Sequence, residues 1–490
     1  MVRLRERENQ GVSEMSKPKL KLWGALALSL GLMGPTLAMS GNGQGIIATA
    51  GKGVPLVFLL GFAGVALVAY GFIRLTSRFN HAGSAYALVG ATMGPRAGFI
   101  AGFCLLGTYL FFTICTAAVF GAFLNALLAQ FGLGEWGFGL TAMICLLLTA
   151  YLNTRDTTTV SRLLLVIEGI GIASMIILVL VIFGKGGAPS TGIDLSVFAP
   201  SGVSFEAIVA SVVAAFLSWA GFEACAALGE ETDSPRRNIP RALFGSVLLT
   251  GVLFVLVMFA QTIGFGTDEA GLAAFQGSGN TLGELGTSYI GAWFGIVVMI
   301  AAVLSAFASN LSSVATAARL TMALARHGFG PRQLATVDEA HGSPWVAVIT
   351  MAAVGVVVNL VSWLSGWPDM GTGNMAIDSY FFFAVAGTVC LLFAYLLTEI
   401  AVIVAWRKKL VKAAAWEMVI PALGALFILV VIFYNVKDAS GISPATVALA
   451  WVVVGAIIAL AAKPLAERIG NSLTAELDEA DSAHEMATDA

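Results

Sequence analysis

Two carboxylates in this chain sit where carboxylates are expensive. Glu223 lies in the apolar stretch Ser218-Trp219-Ala220-Gly221-Phe222-Glu223-Ala224-Cys225, two residues after a glycine, and Glu168 lies in another apolar run. An acid at membrane depth must face protein, water or a counter-ion, and such a group can hold a proton or a cation. Two adjacent hydroxyls, Ser312 and Ser313, lie in a third apolar run, where serines of membrane helices commonly bond back to their own helix. Glu223 is set beside a weak point, because Gly221 has no side chain to restrict its backbone. A second weak point is Gly31-Leu32-Met33-Gly34-Pro35-Thr36. There Pro35 lacks the N–H that the carbonyl four residues back requires, and its ring clashes with that turn. A helix opened at such a point exposes N–H groups on one side and carbonyls on the other. The first suit an anion and the second a cation.

The elements that carry these residues are membrane helices. Of 490 residues 58% are hydrophobic and 11% charged, against roughly 25% charged in a soluble domain. Hydropathy marks twelve segments near the required length of about 20 residues: 22–47, 54–73, 97–128, 136–152, 163–183, 205–228, 242–265, 289–318, 345–364, 380–405, 418–436 and 444–462. With the N-terminus inside, 23 of the 26 basic residues fall on the cytosolic side and only Lys52, Lys185 and Lys437 outside. That is the sorting the positive-inside rule demands, and one helix more or fewer would scramble it. The expected protein is an all-α integral membrane protein with both termini cytosolic. It comprises a basic segment 1–21, a membrane domain 22–462 and an acidic, disordered tail 463–490. No small-residue cleavage site follows a short apolar core, so no removed signal peptide is expected, and Met15 is an alternative start.

Between spans two and three, the mixture of small, apolar and basic residues from Arg74 to Tyr86 suits a short helix at the inner surface. The stretch Pro235 to Arg241 reads as a cytosolic loop. The polar run Ser40-Gly41-Asn42-Gly43-Gln44-Gly45 either lines an external vestibule or forms a flexible helix end. All five cysteines lie in apolar runs without metal or disulfide spacing and read as packing residues.

The two weak points fall in spans one and six, each near the midplane. If spans one to five (22–183) are repeated by spans six to ten (205–405), with 418–462 peripheral, they occupy the same place in two inverted halves. Paired interrupted helices in an inverted repeat point to a transporter's substrate site. An intramembrane enzyme would need a nucleophile–base pair or metal cluster at depth, but His81, His327, His341 and His484 all lie in loops or the tail. There is no P-loop glycine pattern for ATP, and no cofactor, metal or nucleic-acid partner is expected.

The Gly221-Phe222-Glu223 core, followed by Gly229-Glu230-Glu231 and Arg236-Arg237-Asn238-Ile239-Pro240, resembles the amino acid–polyamine–organocation transporter superfamily. Ala82-Gly83-Ser84-Ala85-Tyr86 and the Ala318-Arg319-Leu320 to Arg326-His327-Gly328 region resemble it more loosely. The resemblance covers about residues 22–462. It implies the leucine-transporter fold, with a 5+5 inverted repeat, discontinuous helices 1 and 6 and alternating access. The implied substrate is an amino acid or related amine. It places carboxylate-binding backbone on Gly34, Pro35, Thr36 and Leu37, and amine-binding carbonyls and site wall on Ser218, Trp219, Ala220 and Gly221. Trp219 would either cover an amine through its ring face or pack in the bundle. Two departures stand out: Gly34-Pro35-Thr36 replaces the family's Gly-x-Gly, and Asn80 replaces a loop proline. Glu223 and Glu168 are the candidates for proton coupling. Ser312 and Ser313 resemble the helix 8 hydroxyl pair of sodium-coupled members.

Overall fold

A computed structural model of the chain describes residues 21–78, 85–155, 158–199, 202–228, 232–326, 328–338, 343–437, 439–469 and 471. The basic N-terminal residues 1–20, the four histidines, the 79–84 and 229–231 parts of the family motifs and nearly all of the acidic tail lie outside them. The described residues are helical and contain no strand. Ten helices among them are long and apolar enough to cross a membrane.

Span one is broken into α1 (Leu22–Met33), α2 (Pro35–Gly41) and α3 (Gln44–Ala50). It leads into α4 (Val54–Thr76). Next come α5 (Ala85–Met93), α6 (Pro95–Gln130), α7 (Phe138–Asn153) and α8 (Thr158–Lys185). Span six starts as α9 (Phe205–Phe216) and continues as two 3-10 turns, Leu217–Trp219 and Phe222–Leu228. The second half holds α10 (Pro235–Phe265), α11 (Glu269–Gly277), α12 (Thr281–Tyr289), α13 (Ala292–Arg326), α14 (Trp345–Ser365) and α15 (Met375–Arg407). The last two are α16 (Val419–Val436) and α17 (Pro444–Ala461).

Length separates ten spans from the expected twelve. The α7 helix has 16 residues, about 24 Å of rise, and α9 loses its α-helical geometry after Phe216. Both are apolar but short. The stretch expected to form a short helix between spans two and three lies partly outside the described residues, and the helix described there, α5, starts at Ala85 and is largely buried against α6 and α15. Three expectations are corrected. The stretch from Pro235 is no loop but the opening of α10, since a proline at the first helical position has no N–H to waste. The run 40–45 is buried inside the protein, neither vestibule nor flexible end: Gly43 lies against Phe275 and Met258, and the Gln44 side chain donates to the Ser278 carbonyl. Residues 463–469, assigned to the tail, are helical, with Ala466 and Ile469 buried and Glu467 paired with Arg96.

The α6 and α15 helices form the centre, pack on each other, and are buried over most of their length. By contrast α16 and α17 bury only a few small or aliphatic residues and present Leu423, Leu426, Val453 and Ile457 outward. Large apolar side chains on an outer face are what a bilayer solvates. Helices approach one another where a glycine admits a ring. Gly64 receives Phe427, Gly107 receives Trp451 and Gly251 receives Phe62.

At one end of the bundle Lys52 pairs with Asp194 at 3.1 Å, Lys437 pairs with Glu206, and Lys185 donates to the Tyr289 carbonyl. Those are the three lysines that the charge sorting sets apart. Asp194 also accepts from the Ser196 hydroxyl and N–H and from Thr267. Led by the Ser196 hydroxyl, these donors hold its carboxyl well below the usual carboxylate range. Arg74, bonded to Glu417, lies with Arg96–Glu467 and Lys408, which donates to the Thr92 carbonyl, at helix ends of the opposite sense.

Candidate functional site

The break in span one is a single residue wide. Gly34 takes a left-handed backbone, φ 56°, and Pro35 starts α2 at once. Only glycine adopts that conformation without a Cβ penalty. The freed donors of α2 are then met by side chains from two other helices. The Thr36 N–H donates to Glu168 Oε1 at 2.7 Å, and the Leu37 N–H donates to Ser305 Oγ at 3.1 Å. Ala38 already bonds the Gly34 carbonyl. Glu168, on α8, therefore supplies an internal acceptor at the positive end of a half-helix, where negative charge is favoured. The Thr36–Leu37 backbone singled out from the sequence is engaged by protein, so an incoming carboxylate has to displace Glu168 or Ser305.

The break in span six is wider. After Trp219 the chain turns through extended Ala220, φ −58° and ψ 125°, and Gly221, φ 96°, before resuming as a 3-10 turn. Ser218 is fully buried and accepts from Asn42 Nδ2 at 2.7 Å, while Tyr380 donates to Asn42 Oδ1 at 2.5 Å. Below the break, Ser29 of α1 donates to the Phe222 carbonyl at 3.1 Å and accepts from the Cys225 N–H at 3.3 Å. Glu223 Oε2 accepts from the Tyr395 hydroxyl at 2.7 Å. The two interruptions thus face each other: α2 touches the Leu217–Trp219 turn and α1 touches the Phe222–Leu228 turn.

Trp219 is 1% exposed, with its ring against Phe58 and Phe254 at centroid distances of 5.8 and 5.2 Å. In this conformation it packs. Its buried Nε1 has no acceptor among the described residues.

The helix 8 hydroxyls do not converge on span one. Ser313 donates to the Ser309 carbonyl at 2.8 Å, and the Ser312 carbonyl accepts from Thr316. The α13 hydroxyl that reaches span one is Ser305, about two turns earlier. Glu168 and Glu223 share no hydrogen-bond partner. Residues that sequence reasoning passed over are Ser29, Ser305, Tyr380, Tyr395 and a third buried glutamate, Glu399, while Asn42 enters it only as part of the polar run 40–45. The available signal was a polar side chain inside an apolar run. Among the described residues no group of three His, Cys, Asp or Glu side chains could hold a metal, and all five cysteines are buried and free.

Residues 20–459 match the amino acid permease family. The chain belongs to that family. Its relatives are permeases of the amino acid–polyamine–organocation superfamily, not enzymes. A branched-chain amino acid permease of Lactococcus lactis subsp. cremoris is 27% identical to this permease over 68% of this chain and 73% of its own. A methylthioribose transporter of Bacillus subtilis is 26% identical over 75% and 82%. A low-affinity putrescine importer of Escherichia coli K12 is 24% identical over 62% and 66%. This permease is accordingly a multi-pass membrane protein that carries small molecules.

Proposed function

We propose that this permease is a secondary transporter that moves an amino acid or related amine across the cytoplasmic membrane by alternating access. The observation that carries the reading is the pair of interruptions at Gly34 and Ala220–Gly221, set against each other inside a permease. In this reading α7 and α9 also cross, giving twelve spans, a 5+5 inverted repeat of the leucine-transporter type and two cytosolic termini. The substrate seats between the backbone of Gly34, Pro35, Thr36 and Leu37 and that of Ser218, Trp219, Ala220 and Gly221. Freed carbonyls there suit an ammonium. A substrate carboxylate exchanges with Glu168 for the Thr36 N–H.

Proton coupling is favoured over sodium. Glu168 is a buried acid bonded to the Thr36 N–H at the first interruption, and Glu223 is a buried acid in the turn that follows the second, whereas Ser313 spends its hydroxyl on its own helix. Sodium coupling, exchange alone and a transport-inactive sensor are the competing readings.

Counterflow in proteoliposomes tests them, with labelled leucine, putrescine and methylthioribose. A carrier exchanges label against internal substrate, and a proton-coupled one accumulates it under an inward proton gradient when potassium replaces sodium. Strict sodium dependence without a pH effect overturns the proton. Saturable binding without exchange overturns the carrier.

A further inference from the structure

Glu399 lies on α15, fully buried, and neither carboxyl oxygen has a hydrogen-bond partner among the described residues. Every other buried acid in the described spans, namely Glu168, Glu223 and Asp378, is hydrogen-bonded. A slot shaped by glycines on two other helices holds Glu399. A methyl on Gly71 of α4 would collide with Oε1, and one on Gly424 of α16 would stand 3.3 Å from Oε2. An ionised carboxylate in such a place lacks both counter-ion and donor, which is the costliest arrangement a buried acid can have. A neutral carboxylic acid fits the same slot at far smaller cost.

Its position supplies the second observation. Tyr395, whose hydroxyl holds Glu223, precedes Glu399 by four residues and so shares its helix face. Toward the other end of the same seam, Arg74 follows Gly71 by one turn on α4 and bonds Glu417, in the 3-10 turn just before α16, and the Tyr70 hydroxyl. Along the packed helices, the titratable and charged groups that flank Glu399 are therefore Tyr395, Glu223 and Tyr109 of α6 on one side and Tyr70, Arg74 and Glu417 on the other. Arg407 and Lys408 lie beyond them at the end of α15. These groups form a ladder from the interruption in span six to the basic end of the bundle. Glu399 is its middle rung.

We propose that Glu399 is a proton-binding site of this permease, in series with Glu223 and distinct from the substrate seat. The step is reversible: the carboxylic acid releases its proton to water entering along the α4–α15–α16 seam, and the carboxylate so formed takes one back. The role in coupling rests on the transporter reading above. The proton site itself does not.

Two measurements on the full chain separate these. Infrared spectra of the purified protein at neutral pH should contain a protonated-carboxyl C=O band that Glu399→Gln removes. Identical spectra, or loss of a carboxylate band instead, overturn the proton site whether or not a substrate is known. In proteoliposomes given labelled leucine or putrescine, a one-unit inward pH gradient sustains about tenfold accumulation if one proton moves with each substrate. Glu399→Gln should lose that accumulation while keeping counterflow, and Glu399→Asp, which keeps an acid, should retain it. The reverse order, with the isosteric amide active and the shorter acid inactive, marks a purely packing role and overturns the proposal. If the wild type accumulates nothing, proton symport fails, and the infrared comparison still decides Glu399.

Discussion

The two interruptions solve the same problem with opposite means. At Gly34 the chain breaks for one residue and restarts on a proline, and the exposed N–H groups of Thr36 and Leu37 are capped by an acid and a hydroxyl from α8 and α13. At Ala220–Gly221 the α-helix is not regained over the next seven described residues, and the loosened strand of chain is pinned at several points by Asn42, Ser29 and Tyr395. The first break is narrow and held at two adjacent N–H groups. The second is broad and held at several separated points. A narrow break concentrates its support in a few contacts, whereas a broad one spreads it.

Substitutions can break that contrast. The largest effect is expected from Glu168→Ala, which strips the acceptor from the buried Thr36 N–H. The loss should be about 2–3 kcal/mol and show as a lowered melting temperature in detergent together with lost counterflow. Glu168→Gln keeps an acceptor oxygen and should fold better than the alanine. Gly221→Leu comes next: its φ of 96° strains any side chain, so roughly 2 kcal/mol of stability should go along with substrate binding. A variant that binds normally would place the site elsewhere. Tyr395→Phe removes one of several pins from the broad break and leaves the Glu223 carboxyl short of a donor, for about 1–2 kcal/mol. A melting temperature as low as that of Glu168→Ala would erase the distinction between concentrated and distributed support.

The smallest effect lies far from both breaks. Asp194→Asn should cost about 1 kcal/mol or less at neutral pH. The folded-state carboxyl is held below its unfolded value, so its contribution is present above about pH 4 and is lost as pH falls toward the folded value. Melting curves of wild type and variant should converge in acid. A gap that widens on acidification would contradict the assigned donors.

Much of this was legible beforehand. Pro35 without its N–H and Gly221 beside an acid announce the two breaks, because both defects are local to the backbone. The basic residues sort by side because each is read against the nearest apolar run. The partners were not legible. Glu168 meets Thr36 across 132 residues and Ser305 meets Leu37 across 268, and such pairings depend on helix tilt and rotation. That rotation is why Ser305, rather than the more conspicuous Ser312 and Ser313, is the hydroxyl against span one. Glu399 escaped notice because it sits within nine residues of the basic cluster Arg407-Lys408-Lys409 and resembles an ordinary helix-end acid. Only the slot between Gly71 and Gly424 sets it apart.

The ring-into-glycine contacts at Gly64, Gly107 and Gly251 reverse a familiar rule of protein engineering. In an exposed helix, exchanging glycine for alanine gains up to about 1 kcal/mol of helix propensity. Here the added methyl would land inside the ring of Phe427, Trp451 or Phe62. A thermostabilisation campaign should therefore leave these positions alone. Sequence drift across the family should be slow at them as well, although none of the three touches the proposed substrate seat. Their constancy would record how closely two helices lie, and it should not be mistaken for a trace of what the permease carries.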